Sequence, residues 1–361
     1  MNEKIVVLPE QLHSRTPGGI GVFTTEALAH MATQASQLGV RLSIYGSKFD
    51  RDTDPFAAFG LPVSYSRLHH RMLMMAWDRG LASENGTFDA SVSFSMAAPL
   101  TRAMPRRLVT VYDLAFRTVP AAFTRHGVRW HEARLNAIRR SSASVLTISE
   151  QSRGQRLEAD FSADRIFLAT PGSDHLAPAD LERTGELLER LGVRTPFLLT
   201  VGTLEPRKNL ARVMESVQIC RGELRDEYPL LVVGARGWGP HAKSVRGVHF
   251  LGHIDGSLLA GLYARAAALV YAPLFEGFGL PPIEAMASCT AVVSSLLPST
   301  DPAFCEIVDP RSAEDIARGI CDVLSNDRRK SRLVREALLH VSGMRWEDTA
   351  RDILNAATAG T

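Results

Sequence analysis

The sequence has few cysteines, and they are not spaced as metal ligands. Its 361 residues include four cysteines, all in the second half and without a CxxC or Cys/His spacing: Cys220, Cys289, Cys305 and Cys321. We therefore expect reduced thiols that act as small core residues, with neither a disulfide framework nor a structural metal.

Long apolar runs and excess charge of one sign are also missing. No stretch approaches the roughly 20 apolar residues that a membrane-spanning helix needs, and the run at residues 5–8 is too short for the apolar part of a secretion signal. Lys and Arg number 41 against 39 acidic residues, so the net charge of +2 does not favour nucleic-acid binding. We expect a cytoplasmic protein, and peripheral contact with the inner face of the membrane stays open.

What is present is a regular succession of short apolar runs separated by helical patterns. Runs without polar alternation predict strands that are covered on both faces, as in parallel sheets. They lie at residues 5–8, 41–45, 90–94, 108–112, 145–148 and 166–169, and again at 197–201, 230–233, 248–251, 268–271, 291–293 and 305–308.

A chain of this length is expected to form two domains, and the repeated pattern predicts two doubly wound, Rossmann-like α/β domains. We place their limits at residues 1–176 and 177–344. A final helix in residues 345–361 is expected to pack back on the first domain.

One helix can be delimited from its apolar positions. Leu28, Met31, Ala35 and Leu38 recur at steps of three and four residues, which places them on one helix face. Gly39 is expected to end that helix.

The most informative segment follows the predicted strand 268–271. Pro281 and Pro282 suit the first turn of a new helix. Because ligands sit at the carboxyl ends of strands in open α/β sheets, and helix starts favour anions, the amides of Phe278, Gly279 and Leu280 are predicted to face a phosphate.

Two carboxylates flank this segment. Glu276 and Glu284 are separated by Gly-Phe-Gly-Leu-Pro-Pro-Ile, which resembles the E-x7-E motif of glycosyltransferase family four, a family of retaining enzymes with the GT-B fold. The resemblance implies that Glu276 contacts the transferred sugar, that Glu284 holds the ribose hydroxyls, and that Gly277 belongs to the donor-binding loop. The alternative makes them a loop carboxylate and a first-turn residue favoured by the helix dipole.

A second cluster follows the predicted strand 197–201. Gly202, Thr203, Arg207 and Lys208 resemble the family segment in which an Arg and a Lys clamp the donor diphosphate. Two charge-assisted hydrogen bonds at about 1.5–3 kcal/mol each would give only weak to moderate donor binding, so other contacts must add to it. A solvated turn is the alternative.

A glycine-rich segment opens the first predicted helix. Gly18, Gly19 and Gly21 lack the GxGxxG spacing of a dinucleotide site. The segment resembles the family's N-terminal glycine loop, which faces the donor, and a plain tight turn is the alternative.

The strand 108–112 ends where this family commonly has His-Asp or His-Glu. Here Tyr112 replaces the histidine, so its contact with the sugar cannot be transferred to this chain. Asp113 is a candidate for orienting the acceptor hydroxyl or for stabilising positive charge at the anomeric carbon. It is equally a candidate turn or capping residue.

Two basic stretches, residues 67–81 and 125–140, are candidates for contact with a membrane or an acceptor. The alternative is a core-facing apolar stripe with a solvated charged face. Three departures from the family pattern lie near the paired glutamates: Cys289 replaces a usual Gly, Ala291 a usual Pro, and Ser299 the Glu of a Pro-Glu pair.

Together these features predict a metal-independent enzyme of the GT-B fold, in which two domains face a central cleft. By the resemblance, which includes bacterial polysaccharide and lipopolysaccharide mannosyl- or rhamnosyltransferases, the second domain binds a nucleotide diphosphate sugar such as GDP-mannose. The first domain binds a glycan or lipid-linked saccharide. An epimerase or hydrolase on the same fold, and an inactive sugar-nucleotide-binding protein, are the alternatives.

Overall fold

The computed structural model describes residues 3–14, 18–49, 54–100, 104–194, 196–224, 228–237 and 246–359. The chain divides into two compact units. The first contains Met1–Gly172 and Arg345–Thr361, and the second contains Ser173–Met344. The first boundary therefore falls a few residues before the position expected from the sequence.

Parallel strands form the sheet of the first unit, in the order β3-β2-β1-β4-β5-β6-β7. They are β1 (Glu3–Leu8), β2 (Val40–Gly46), β3 (Val63–Tyr65), β4 (Ala90–Ser93), β5 (Arg106–Thr110), β6 (Ser144–Thr147) and β7 (Ile166–Leu168). Strand β3 was not predicted, because an edge strand of three partly exposed residues leaves no apolar run in the sequence.

The second unit repeats this plan with the order β10-β9-β8-β11-β12-β13, again all parallel. Its strands are β8 (Leu198–Val201), β9 (Leu230–Val233), β10 (Val248–Gly252), β11 (Ala268–Tyr271), β12 (Val292–Ser294) and β13 (Glu306–Ile307). The prediction of two doubly wound parallel sheets is confirmed. Strand order reverses between β1 and β4 in one sheet and between β8 and β11 in the other, and such reversals open a ligand crevice at the carboxyl ends of the strands.

The helices of the described residues cover these sheets. They are α1 (Gly18–Gln34), α2 (His70–Asp78), α3 (Ala115–Thr118), α4 (Arg125–Arg140), α5 (Glu150–Glu158), α6 (Leu181–Arg190), α7 (Leu210–Leu224), α8 (Gly256–Arg265), α9 (Leu280–Ala287), α10 (Ala313–Ser325), α11 (Asp327–Val341) and α12 (Trp346–Thr358). Across these ranges, no helix has both the length and the apolar character that crossing a bilayer requires.

Helix α1 ends earlier than predicted. It stops at Gln34, and Leu38 lies beyond it with 44% of its surface exposed. The chain turns here because the amide of Val40 donates to the carbonyl of Ala35 (2.8 Å), and Gly39 adopts the left-handed conformation (φ 68°) that leads into β2. Gly39 therefore ends the turn that follows the helix. Of the predicted face, Leu28, Met31 and Ala35 are buried and Leu38 is not.

Helix α12 belongs to the first unit and packs on α1. The ring of Trp346 is fully buried and meets the ring of Phe23 edge-on at 5.5 Å. The side chain of Gln34 donates to the carbonyl of Glu347 (2.8 Å). The last helix of the chain thus completes the core of the unit that contains the N-terminus.

The cysteines are buried with one exception. Cys220 and Cys321 meet between α7 and α10 with their sulfurs 2.9 Å apart, and Cys305 is also buried. Cys289 is exposed, so its prediction as a core residue was wrong. Cys289 follows α9 in the left-handed conformation (φ 57°), which favours glycine, the residue that the family usually has there.

Two loops of the second unit touch through glycine. Gly234 follows β9 at φ 151°, and a methyl group added to it would lie 1.9 Å from the carbonyl oxygen of Gly202, which follows β8. Because the clash is with backbone, it cannot be relieved by a side-chain movement.

We predict that Gly234→Ala lowers the free energy of unfolding by about 2–4 kcal/mol, through the clash and the positive φ. Thermal unfolding followed by circular dichroism measures it. Gly154→Ala is the control, since this helical position in α5 has open space and alanine favours helix. Equal melting temperatures for Gly234→Ala and the wild type would contradict the close approach.

Candidate active site

The site lies at the reversal of strand order in the second sheet. Strands β8 and β11 are paired in parallel, with Leu198 opposite Ala268 and Leu199 opposite Leu269. Their carboxyl ends therefore lie side by side, and the loops that follow them meet at one edge of the sheet. The two motifs singled out in the sequence are these two loops.

The loop after β8 is held against the loop after β11. A 3-10 turn, Pro206–Lys208, ends at Asn209 in the left-handed conformation (φ 60°). The amide group of Asn209 donates to the carbonyls of Ala272 (2.9 Å) and Pro310 (2.7 Å). The backbone amide of Leu274 also donates to the carbonyl of Arg207 (2.9 Å). These bonds fix where the neighbouring cationic side chains begin.

Both cations of the first loop pair with the first glutamate of the second loop. Lys208 Nζ lies 2.6 Å from Glu276 Oε1, and Arg207 Nη1 lies 2.8 Å from Glu276 Oε2. Lys208 also donates to the hydroxyl of Tyr271 (2.9 Å). The structure thus brings together three residues that the sequence placed in one site, although 68 positions separate Lys208 from Glu276.

The protonation of this cluster follows from its surroundings. Glu276 is only 8% exposed, and burial alone raises the pKa of its carboxyl group. Lys208 and Arg207 outweigh that effect and hold the pKa of Glu276 below its ordinary value. Burial and the Glu276 charge raise the pKa of Tyr271 well above its ordinary value. Glu276 is therefore a carboxylate, and Tyr271 stays a neutral phenol.

A second carboxylate balances the cluster. Glu205 is buried and accepts from Arg207 through Nη2 (2.8 Å) and Nε (3.1 Å). The carboxylates of Glu205 and Glu276 therefore offset the two cations. The cations of this cluster are Lys208 and Arg207, and both pair with Glu276. An anionic ligand that binds them therefore has to compete with Glu276.

Gly202 and Thr203 line the first loop. Gly202 has φ 150°, and a methyl group there would touch the aliphatic stem of Lys208 at 3.4 Å. The carbonyl of Thr203 accepts from the amide of Glu205 (2.8 Å). Both residues therefore shape the turn from which the cations extend.

The second loop leads into α9 with two prolines in its first turn, as predicted. Pro281 and Pro282 have no N–H, so the donors left at this helix start are the amides of Phe278, Gly279 and Leu280. Gly279 has φ 105°, and a methyl group there would lie 2.7 Å from Ser299 Oγ. Only glycine therefore fits between the loop and the segment that follows β12.

Glu284 is held by two residues that the sequence analysis missed. It is 6% exposed, the hydroxyl of Tyr263 donates to its Oε2 (2.7 Å), and His175 Nε2 lies 3.0 Å from its Oε1. Burial, and then Glu284, raise the pKa of Tyr263 well above its ordinary value, so the phenol stays a donor. Neither residue stands in a motif, and only the fold brings them to Glu284.

The remaining predicted site residues belong to the first unit. Gly18, Gly19 and Gly21 all lie inside the first turns of α1, with the first two exposed and Gly21 buried. The described part of this segment, from Gly18 onward, is thus a helix start.

Asp113 forms a local turn. Its Oδ1 accepts from the amide of Ala115 (2.8 Å) at the start of α3, as the structural alternative predicts. The neighbouring hydroxyl of Tyr112 donates to the carbonyl of Phe94 (3.1 Å), and burial raises the pKa of Tyr112. Tyr112 is therefore a structural donor inside the unit.

With this geometry in place, comparison with known proteins identifies the domain that contains the site. Residues 189–340 match the family model described as glycosyl transferases group 1. This segment contains both loops, the two cations and the paired glutamates. The chain carries a glycosyl transferases group 1 domain.

Relatives with known names agree with this assignment. The chain is 28% identical to O-antigen chain mannosyltransferase B of Escherichia coli over 271 residues, which cover 71% of each protein. It is 25% identical to the serotype-specific mannosyltransferase WbdA of E. coli over 224 residues, 57% of this chain but 28% of the relative. The chain thus matches only about a quarter of the length of WbdA.

Solved structures agree on the architecture. A crystal structure of Anabaena Alr3699/HepE in complex with UDP and glucose aligns with a TM-score of 0.70 at 15% identity, over 98% of both chains. At this identity the match shows the fold alone. The chain is a glycosyltransferase with two Rossmann-like units of the GT-B type.

Proposed function

We propose that this glycosyltransferase transfers a hexosyl group from a nucleotide diphosphate sugar to a saccharide acceptor, with retention of the anomeric configuration. The single observation that carries the proposal is the cluster of Lys208, Arg207 and Glu276 beside the amides at the start of α9. It lies at the carboxyl ends of β8 and β11, and open α/β sheets commonly bind ligands at such a reversal of strand order, which supports the proposal.

The donor diphosphate is proposed to lie between the two cations and the helix start. The diphosphate replaces Glu276 as the partner of Lys208 and Arg207, while the amides of Phe278, Gly279 and Leu280 donate to the diphosphate oxygens. Once Lys208 and Arg207 bind the diphosphate, the Glu276 carboxylate can accept hydrogen bonds from hydroxyl groups of the transferred sugar. Two fixed cations and these amides supply the charge that a divalent ion supplies elsewhere, so we propose that no metal is required.

Transfer then follows the course proposed for retaining enzymes of this kind. The bond between the anomeric carbon and the diphosphate oxygen breaks, and the charge that develops on the leaving group is stabilised by Lys208 and Arg207. The acceptor hydroxyl attacks on the face that the leaving group vacates and passes its proton to the departing phosphate oxygen. One bond breaks, one forms, and the proton ends on the nucleoside diphosphate.

Glu284 is proposed to bind the ribose of the donor. Tyr263 and His175 fix both oxygens of its carboxylate in a buried setting, so little rotational freedom has to be lost when the ribose hydroxyls bind. Each carboxylate oxygen keeps capacity for a further hydrogen bond. Tyr263 and His175 are therefore positioning residues for the nucleotide.

We propose a GDP-linked hexose, with GDP-mannose as the first candidate, because the curated relatives named above are mannosyltransferases. The acceptor is proposed to be a glycan or lipid-linked saccharide, since one of those relatives is named an O-antigen chain mannosyltransferase. The UDP and glucose in the HepE structure are weaker support for the identity of the donor, because the HepE sequence is much more distant.

We predict that Glu276→Ala and Arg207→Ala each reduce sugar transfer by about 10²–10³-fold, because each removes one electrostatic contact to the reacting groups. The measurement is the rate of transfer from a radiolabelled nucleotide sugar, with circular dichroism to show that the fold is kept. Arg183→Ala is the matched control, since Arg183 is an exposed cation of the same unit, paired with Asp255.

Wild-type rates in the Glu276 variant would defeat the assignment. The same assay without acceptor separates transfer from the alternatives, because rapid acceptor-free turnover would indicate a hydrolase or an epimerase. Donor binding without turnover across a panel of saccharide acceptors would indicate an inactive sugar-nucleotide-binding protein.

We also propose that the first unit contacts an anionic membrane surface. In α2, Leu73 and Trp77 are buried, whereas Met72 (51% exposed) and Met75 (48% exposed) face outward, followed by Leu81 (76% exposed). The same stretch of the chain and the neighbouring helix α4 carry exposed cations, namely Arg67, Arg71 and Arg79, together with Arg125 and Arg129 of α4. Helix α4 lies beside α2, since the indole of Trp130 donates to Asp78 (2.8 Å).

Not every arginine of the basic stretch belongs to this surface. Arg134 is 4% exposed and donates to the carbonyls of Met96 and Ala98, so it is a core residue of the first unit. Burial lowers the pKa of Arg134. The mixture of exposed apolar and cationic side chains is nevertheless what binding to anionic lipid requires.

We predict that the protein floats with vesicles of phosphatidylglycerol and not with vesicles of phosphatidylcholine, and that Met72→Glu with Met75→Glu abolishes this binding. The negative charges would face the lipid headgroups directly. Leu339→Glu is the control, because Leu339 is more exposed (65%) than either methionine and lies on α11 of the other unit. Unchanged flotation of the double variant would contradict the surface.

A further inference from the structure

A cluster of one carboxylate and two imidazoles lies in the first unit, outside the donor site described above. Glu10 and His13 follow β1, Ser47 follows β2, and His70 is the first residue of α2. All stand at the carboxyl edge of the parallel sheet, where this fold binds ligands. Glu10 is 3% exposed and Ser47 is fully buried, so the cluster is built into the unit.

The hydrogen bonds fix where the protons are. Ser47 donates to both oxygens of Glu10, through its amide to Oε1 (2.9 Å) and through its hydroxyl to Oε2 (3.1 Å). His70 Nδ1 lies 2.6 Å from Glu10 Oε2. Because a carboxylate only accepts, Nδ1 carries the proton, and the Nε2 of a neutral His70 is then an acceptor.

A carboxylate oxygen of Glu10 and one ring nitrogen each of His13 and His70 lie within 4.8 Å of one another, which could also suggest a metal site. The distances favour the hydrogen bonds. Two ligands of one zinc ion lie roughly 3.3 Å apart, whereas Nδ1 of His70 is 2.6 Å from the carboxylate oxygen. His13 Nε2 is also within reach of the Ser47 carbonyl (3.1 Å), so it has a partner inside the protein.

The rings form a short column that ends at the surface. Phe49 stacks on His13 with centroids 3.9 Å apart, and His13 stacks on His70 at 4.4 Å with the ring planes 19° apart. The His70 side chain is 38% exposed. Among the residues that the structure describes, none forms a hydrogen bond with its Nε2.

The arrangement is a buried carboxylate that orients an imidazole and leaves its outer nitrogen as an acceptor. A ligand for this nitrogen must bring a donor, and one without negative charge, because Glu10 repels anions at short range. Phosphates and carboxylates are thereby disfavoured, whereas neutral hydroxyl groups fit. A partly exposed ring also offers a flat apolar face beside the acceptor nitrogen.

We propose that Glu10 and His70 form a binding site for a hydroxyl group of the saccharide acceptor, with His70 Nε2 accepting the hydroxyl hydrogen and Glu10 acting as the positioning residue. This inference rests on the proposed function. It gives the first unit a specific contact with the acceptor.

The test is steady-state transfer with the full chain, GDP-mannose as donor and methyl α-mannoside as the acceptor probe. His70→Ala is expected to raise the KM for the acceptor about tenfold, the loss of one hydrogen bond, while the KM for the donor stays within twofold. His70→Gln, which keeps a carbonyl acceptor, should recover part of the loss. His30→Ala is the control, since His30 bonds only to its own helix at the carbonyl of Glu26.

Glu10→Gln tests the positioning role separately. The new amide group can donate toward Nδ1, which favours the tautomer with the proton on Nε2, so the acceptor KM should rise about as much as in His70→Ala. Thermal unfolding of each variant shows whether the fold is kept.

The outcomes separate the two proposals. If the wild type transfers mannose and His70→Ala leaves the acceptor KM unchanged, the dyad is wrong and the proposed function stands. If the wild type transfers no sugar from any nucleotide donor, the proposed function fails first. Tight zinc binding by the wild type that is lost in His70→Ala would overturn the hydroxyl assignment.

Discussion

The site depends on one electrostatic contact, the pairing of Glu276 with Lys208 and Arg207 across two loops of the second unit. Because β8 and β11 are neighbours only in a sheet whose order reverses there, the contact exists only in the folded domain. In a buried setting each of these charges would be costly alone. The carboxylate therefore keeps two cations in place at the helix start, where we propose that the donor diphosphate binds.

The same contact explains why the surroundings are so constrained. Asn209 and the Leu274 amide lock the two loops together. Gly234 allows backbone to approach where a methyl group would clash, and Gly279 adopts a positive φ beside the Ser299 hydroxyl. Tyr271 remains a neutral phenol, so its hydroxyl accepts from Lys208 without adding charge. Each of these features preserves the spacing of charges, and none of them is itself charged.

The sequence predicted the parts of this architecture that are locally encoded. Apolar runs such as 230–233 and 268–271 coincide with β9 and β11, because a strand covered on both faces must be apolar throughout. The loop residues Glu276, Arg207 and Lys208 could be found because a strand end, a glycine loop and a proline-led helix start are visible as patterns.

What the sequence could not show depends on tertiary contacts. Tyr263 and His175 reach Glu284 from 21 and 109 positions away and stand in no motif. Leu38 fits the helical period but lies beyond the end of α1, where the chain turns toward β2. Arg134 was grouped with solvated cations, yet carbonyl groups of a neighbouring segment bind it in the core. The spacing of apolar residues predicts the helix face that a residue occupies only as far as the helix itself extends.

The central claim is that Lys208 and Arg207 are held ready for a diphosphate and need no metal. Isothermal titration calorimetry with GDP and with GMP, in EDTA, tests it most directly. The account predicts that GDP binds at least about tenfold more tightly than GMP, and that Arg207→Ala removes most of this difference. Equal affinities of the wild type for GDP and GMP, or GDP binding that appears only when Mg²⁺ is added, would contradict it.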